Sequence, residues 1–119
     1  MGRRGQISID LHSAIELLIG AGLIALPFVL GFGAAPVAFS IAVGSLILGL
    51  ALTASEPGSR GSLPLAAHAA YDWGFGVGLI AAALAFGLLD GYQPMVFFLV
   101  AGAAELLLLA ATRYTPSRA

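Results

Sequence analysis

Four apolar runs, each close to twenty residues long, leave this chain few ways to fold. They cover roughly residues 11–32, 35–54, 65–89 and 95–112, and a helix needs about 20 apolar residues to cross a bilayer core. A helix at the surface of a water-soluble domain would carry one polar face; these runs are polar on no side. The chain is 60% hydrophobic and 9% charged, whereas soluble domains carry about 25% charged residues. Lipid is therefore the expected solvent, and every backbone group must be satisfied within helices. The expected fold is all-α, with four transmembrane helices in one domain over residues 1–119.

The breaks between runs carry turn chemistry. Gly31, Phe32 and Gly33 lead to Pro36, and Asp90, Gly91, Tyr92 and Gln93 lead to Pro94. Both prolines suit a first helical turn, where a missing N–H costs nothing. Residues 55–62 form the only polar linker. Ser8 and Asp10 read as capping residues of the first helix, with Ser13 in its first turn.

Orientation follows from the arginines. Arg3 and Arg4 precede the first run, Arg60 lies between the second and third, and Arg113 and Arg118 follow the fourth. All five fall on one side, which the positive-inside rule makes cytoplasmic. Tyr71, Trp73 and Tyr114 are expected in an aromatic belt at that boundary, and Tyr92 at the other. Arg3 and Arg4 also resemble a leader's charged region, but the following run is longer than a leader core, so a retained span is expected. Arginine without lysine, in an Ala-, Gly- and Leu-rich chain, points to a GC-rich bacterial genome. The expected location is the bacterial cytoplasmic membrane, with both termini inside.

The two halves align with each other. His12, Ala14 and Glu16 match His68, Ala70 and Asp72, and Gly20, Gly22, Leu23, Ile24 and Ala25 match Gly76, Gly78, Leu79, Ile80 and Ala81. A two-residue shift then pairs Pro36 with Pro94, Phe39 with Phe97 and Gly44 with Gly102. Such self-similarity is an architectural signal. Two helical hairpins, about 10–54 and 65–112, are expected, related by a pseudo-twofold axis along the membrane normal. Small residues are expected to hold the helices together: Gly20, Gly22, Gly44, Gly76, and Gly74-x-x-x-Gly78 as a GxxxG motif.

Residues 20–32, through Leu26-Pro27-Phe28, resemble the SPW-repeat integral membrane proteins, named for a Ser-Pro-Trp motif near the end of the first helix of a two-helix unit. Residues 42–48 resemble that family's second helix. Of the name motif only Pro27 remains, and Ala83 stands at the matching place in the second half. The resemblance implies a paired-hairpin membrane fold and no defined activity.

Ionisable residues inside spans need an account. Here they are His12, Glu16, His68, Asp72 and Glu105. Each histidine stands four residues before a carboxylate, so the two share a helix face, and all five residues fall in one layer toward the cytoplasmic side. In one reading His12–Glu16 and His68–Asp72 are local pairs near the interface, reached in part by water, and Glu105 bonds to a neighbouring helix or is neutral. In a second, His12 and His68 are axial ligands of haem or a chlorophyll-type pigment. In a third, the layer holds a divalent ion or relays protons, although ferritin-like sites use Glu-x-x-His. Catalysis has no foothold: there is no cysteine, nucleophile–base arrangement, P-loop or dinucleotide fingerprint. A net charge of −1 gives no footprint for nucleic acid. The expected function is a non-enzymatic accessory or scaffolding subunit, in contact with lipid and with other membrane subunits or its own copies, as in a respiratory or photosynthetic complex. Cofactor binding in electron or energy transfer and a small oligomeric ion or proton transporter are the alternatives.

Overall fold

The structure is a computed structural model that describes residues 7–53, 63–112 and 114. Four helices follow in chain order: α1 (Ile9–Val29), α2 (Ala34–Leu52), α3 (Leu65–Asp90) and α4 (Tyr92–Ala111). All four are long and apolar enough to cross a membrane. The five arginines and the polar linker at 55–62 lie outside the described residues.

Local chemistry explains the helix ends. The Ser8 hydroxyl accepts the Leu11 N–H at 3.2 Å as the N-cap of α1, and the Ser13 hydroxyl donates back to the Ile9 carbonyl at 3.0 Å. α1 therefore starts two residues before the expected Leu11. It stops short of Phe32 because Gly31 takes a φ of +74°, a left-handed conformation that ends helices and suits glycine. Gly91, at φ +101°, separates α3 from α4 in a single residue. Pro36 and Pro94 each occupy the third position of their helices.

Within each hairpin the backbones touch. α1 packs on α2 and α3 packs on α4, and glycines mark both contacts. A Cβ built on Gly44 would stand 2.8 Å from the Gly20 carbonyl oxygen, and one on Gly102 would stand 3.0 Å from that of Gly76. One further bond ties α1 to α2. Pro27 has no N–H, so the Leu23 carbonyl lacks its helical donor; the Ser40 hydroxyl of α2 donates to it at 2.5 Å. In the second half Ala83 replaces Pro27 and Phe98 replaces Ser40: the N–H is present, and the substitute donor is gone.

The glycine seam differs from expectation in part. Gly20, Gly44 and Gly76 stand at helix contacts, whereas Gly22 would meet only Leu26 of its own helix. Gly74 and Gly78 are exposed, and a Cβ on either would meet nothing within 4 Å among the described residues. Their GxxxG is therefore not a seam between the four described helices. Spaced four apart, the two lie on one face of α3, while Gly76 faces α4.

Between the helices of the two hairpins, side chains make the contacts of the core. Leu23, Ile47, Leu79, Ala83 and Phe98 form the buried apolar core. Toward the two tight turns, Phe39 of α2, Phe86 of α3 and Phe98 of α4 pack mutually with ring centroids 5.4–5.7 Å apart. The opposite half of the bundle is polar inside. Burial is inverted relative to a soluble protein: Leu18 is 74% and Leu88 90% exposed, while His12, Glu16, His68, Asp72 and Glu105 are wholly buried. Such a surface is stable against hydrocarbon, not water.

Candidate functional site

The first two turns of α1 and α3 place His12 and Glu16, and His68 and Asp72, four residues apart on inward faces. The end of α4 closes over them. Thr112 leaves the helix in an extended conformation (φ −97°, ψ 143°), and the Ile7 N–H donates to the Ala111 carbonyl at 2.9 Å. This backbone link returns the chain across the bundle end and brings Tyr114 onto the layer.

Each histidine lies nearer to the other hairpin's carboxylate than to its own. His12 Nε2 is 2.8 Å from Asp72 Oδ2 and 3.2 Å from Glu16 Oε1. His68 Nε2 is 3.1 Å from Glu16 Oε1 and 3.5 Å from Asp72 Oδ2. The expected local pairs are present, closer contacts between hairpins are added to them, and the expected partial access of water is corrected to full burial. The closer contacts cross between hairpins because the inward faces of α1 and α3 look at each other across the middle of the bundle. The result is a ring of two nitrogens and two oxygens in alternation.

The surrounding groups settle which nitrogen of His12 carries hydrogen. The Thr112 hydroxyl donates its one hydrogen to the Leu108 carbonyl at 2.6 Å. Its oxygen must then accept from His12 Nδ1, at 2.7 Å, so Nδ1 holds a hydrogen and Nε2 faces the carboxylates. The Tyr114 hydroxyl donates to Asp72 Oδ2 at 2.6 Å. Burial, then this bond to Asp72, pushes the Tyr114 phenol above its ordinary range. Glu16 Oε2, Asp72 Oδ1, His68 Nδ1 and both oxygens of Glu105 have no hydrogen-bond partner among the described residues. The ionisable neighbours of Glu105 are Glu16, Asp72 and His12.

Space decides against the porphyrin reading of His12 and His68. Their ring centroids are 5.3 Å apart at 73°, and both Nε2 atoms face the same two carboxylate oxygens. A macrocycle between the rings would have to occupy the volume of Glu16 and Asp72. Thr112 and Tyr114 join the site without a signal in the sequence: counting along a straight fourth span carries Tyr114 past the boundary and into the belt, whereas its hydroxyl reaches Asp72. The other belt residues, Tyr71, Trp73 and Tyr92, are exposed.

Comparisons with family models, with curated proteins and with solved structures find no match to this chain. The class defined by fold and site is a four-helix protein fit for a membrane, with a buried histidine–carboxylate layer joining two hairpins.

Proposed function

We propose that the chain is a small non-enzymatic accessory subunit of a bacterial cytoplasmic membrane, docking through its outer faces onto other spans or further copies of itself. In this reading both termini are cytoplasmic, as the arginine placement favours, and the likeness of residues 20–32 to the SPW-repeat proteins reflects shared descent. A respiratory or photosynthetic complex is the kind of assembly it would join.

The observation that carries the reading is on α3. Gly74, Gly78, Ala81 and Ala85 follow one another at helical spacing, and all four are exposed. Trp73, Val77 and Leu84 beside them are exposed too. Small residues let a neighbouring helix approach closely in lipid, where packing rather than water drives association. The chain's own helices use Gly20, Gly44, Gly76 and Gly102 in this way, so the α3 stripe is left for another molecule. Replacing Gly74 and Gly78 together by leucine should leave thermal stability in detergent unchanged, yet reduce association measured by cross-linking in native membranes several-fold. Unaltered association would sink this reading. So would ion flux through the protein alone in liposomes, which is what the transporter alternative requires.

A further inference from the structure

We infer that His12 Nε2, Glu16 Oε1, His68 Nε2 and Asp72 Oδ2 form a binding site for one divalent first-row transition ion of the zinc type, clamped between the two hairpins. The inference is independent of the docking role proposed above.

Geometry comes first. The four atoms all lie within 4.8 Å of one another, and the ring edges are 2.8, 3.1, 3.2 and 3.5 Å. Zinc binds nitrogen and oxygen at about 2.0–2.2 Å in a tetrahedron, which requires ligand–ligand edges of about 3.3–3.6 Å by the same geometry. The shorter ring edges would lengthen slightly, and the two diagonals, N to N and O to O, which lie within 4.8 Å, would close to the same range, by at most about 1.5 Å. The atoms converge on one point instead of separating into two isolated bonds, and a cation at that point satisfies all four edges together.

Tautomer and charge agree with that. His12 commits its Nδ1 hydrogen to Thr112, leaving Nε2 free to present a lone pair to the ring. A ligating histidine ordinarily gives its other N–H to an oxygen in this manner. Tyr114, donating to Asp72 Oδ2, orients a ligating carboxylate from outside. Two carboxylates and one dication sum to zero, which a lipid-buried site requires. Glu16 Oε2 and Asp72 Oδ1, wholly buried and unpartnered among the described residues, can turn inward as further ligands and raise the coordination number.

The donor set also selects. Imidazole and carboxylate together suit zinc, iron(II) or manganese(II). Calcium and magnesium want oxygen ligands and retained waters, and copper(I) wants sulfur. Without a metal, hydrogens must lie between the facing lone pairs, so binding exchanges protons for the ion.

The test uses the full chain, stripped with chelator and reconstituted in phospholipid nanodiscs, then titrated with Zn²⁺ in two buffers of different ionisation enthalpy. The expected result is one ion per chain with proton release. X-ray absorption should show two nitrogens and two or more oxygens in the shell. Glu16→Gln and Asp72→Asn, which keep shape and remove charge, should each weaken binding by about 100-fold or more. Loss of fold in a variant does not blunt the test, because the wild-type shell decides by itself. Zinc bound no more tightly by wild type than by folded Glu16→Gln and Asp72→Asn variants overturns the inference. So does a shell without two nitrogens, and either result leaves a ring held by protons alone.

Discussion

Tyr114 lies beyond the end of α4, yet its hydroxyl reaches Asp72. What brings it there is the extended Thr112, which also orients His12 through Nδ1. Removing the phenol oxygen leaves a buried carboxylate short of a donor, at a cost of about 1–2 kcal/mol. The raised Tyr114 ionisation has a consequence with a definite sign. Below about pH 10, the ordinary tyrosine value, the phenol is protonated in both folded and unfolded chains and its contribution is complete. Above it the unfolded chain ionises first, so stability falls as pH rises toward the folded-state value. Thermal midpoints followed upward from about pH 8 should therefore fall less steeply for Tyr114→Phe than for wild type above the ordinary tyrosine value. Parallel curves would show that Tyr114 does not carry the effect.

Along α1 and α2 the governing fact is a missing N–H. Pro27 strands the Leu23 carbonyl, and Ser40 supplies a hydroxyl from the facing helix. Ser40→Ala should cost about 1 kcal/mol, the typical worth of such a bond in proteins and the upper part of the range seen between membrane helices. In a Pro27→Ala background the backbone N–H returns, and Ser40→Ala should then cost close to nothing. A double-mutant cycle on unfolding in mixed micelles measures the difference; equal costs in both backgrounds would show that the two residues are not linked. The second hairpin already carries the compensated pair, Ala83 with Phe98, and fills the space with an aromatic ring. Both hairpins keep the glycine contact at the same register, Gly20 with Gly44 and Gly76 with Gly102.

For the whole molecule, the two halves are joined by an aromatic cluster toward the tight turns, by the histidine–carboxylate ring toward the other end, and by the backbone bond from Ile7 to Ala111. In lipid the apolar contact has no water to escape, so the ring has an outsized share in holding the halves in register. Hairpins expressed as separate chains, 1–58 and 59–119, should co-purify from membranes. Asp72→Asn in the second should reduce recovery of the first several-fold, because a charge partner of His12 is lost while its own helix is little changed. Recovery unaffected by Asp72→Asn would mean that the apolar and aromatic contacts suffice.

Four helices, their limits to within three residues, the packing of α1 on α2 and of α3 on α4, and the shared helix faces of His12 with Glu16 and His68 with Asp72 are all legible in the sequence. Each follows from local quantities: hydropathy over about twenty residues, glycine and proline at turns, and a spacing of four that shares a helix face. Only the tertiary structure decided which partners these groups take. Helical spacing places His12 beside Glu16, but it holds no information on the rotation of α1 against α3, and that rotation brings Asp72 to 2.8 Å. The same holds for the glycines. Gly74 and Gly78 satisfy the spacing of a seam, yet Gly76 between them faces α4, since a helix can turn only one stripe toward its neighbour. Tyr114 joined the site through a change of chain direction at Thr112, fixed by a backbone bond to Ile7 that no periodicity encodes.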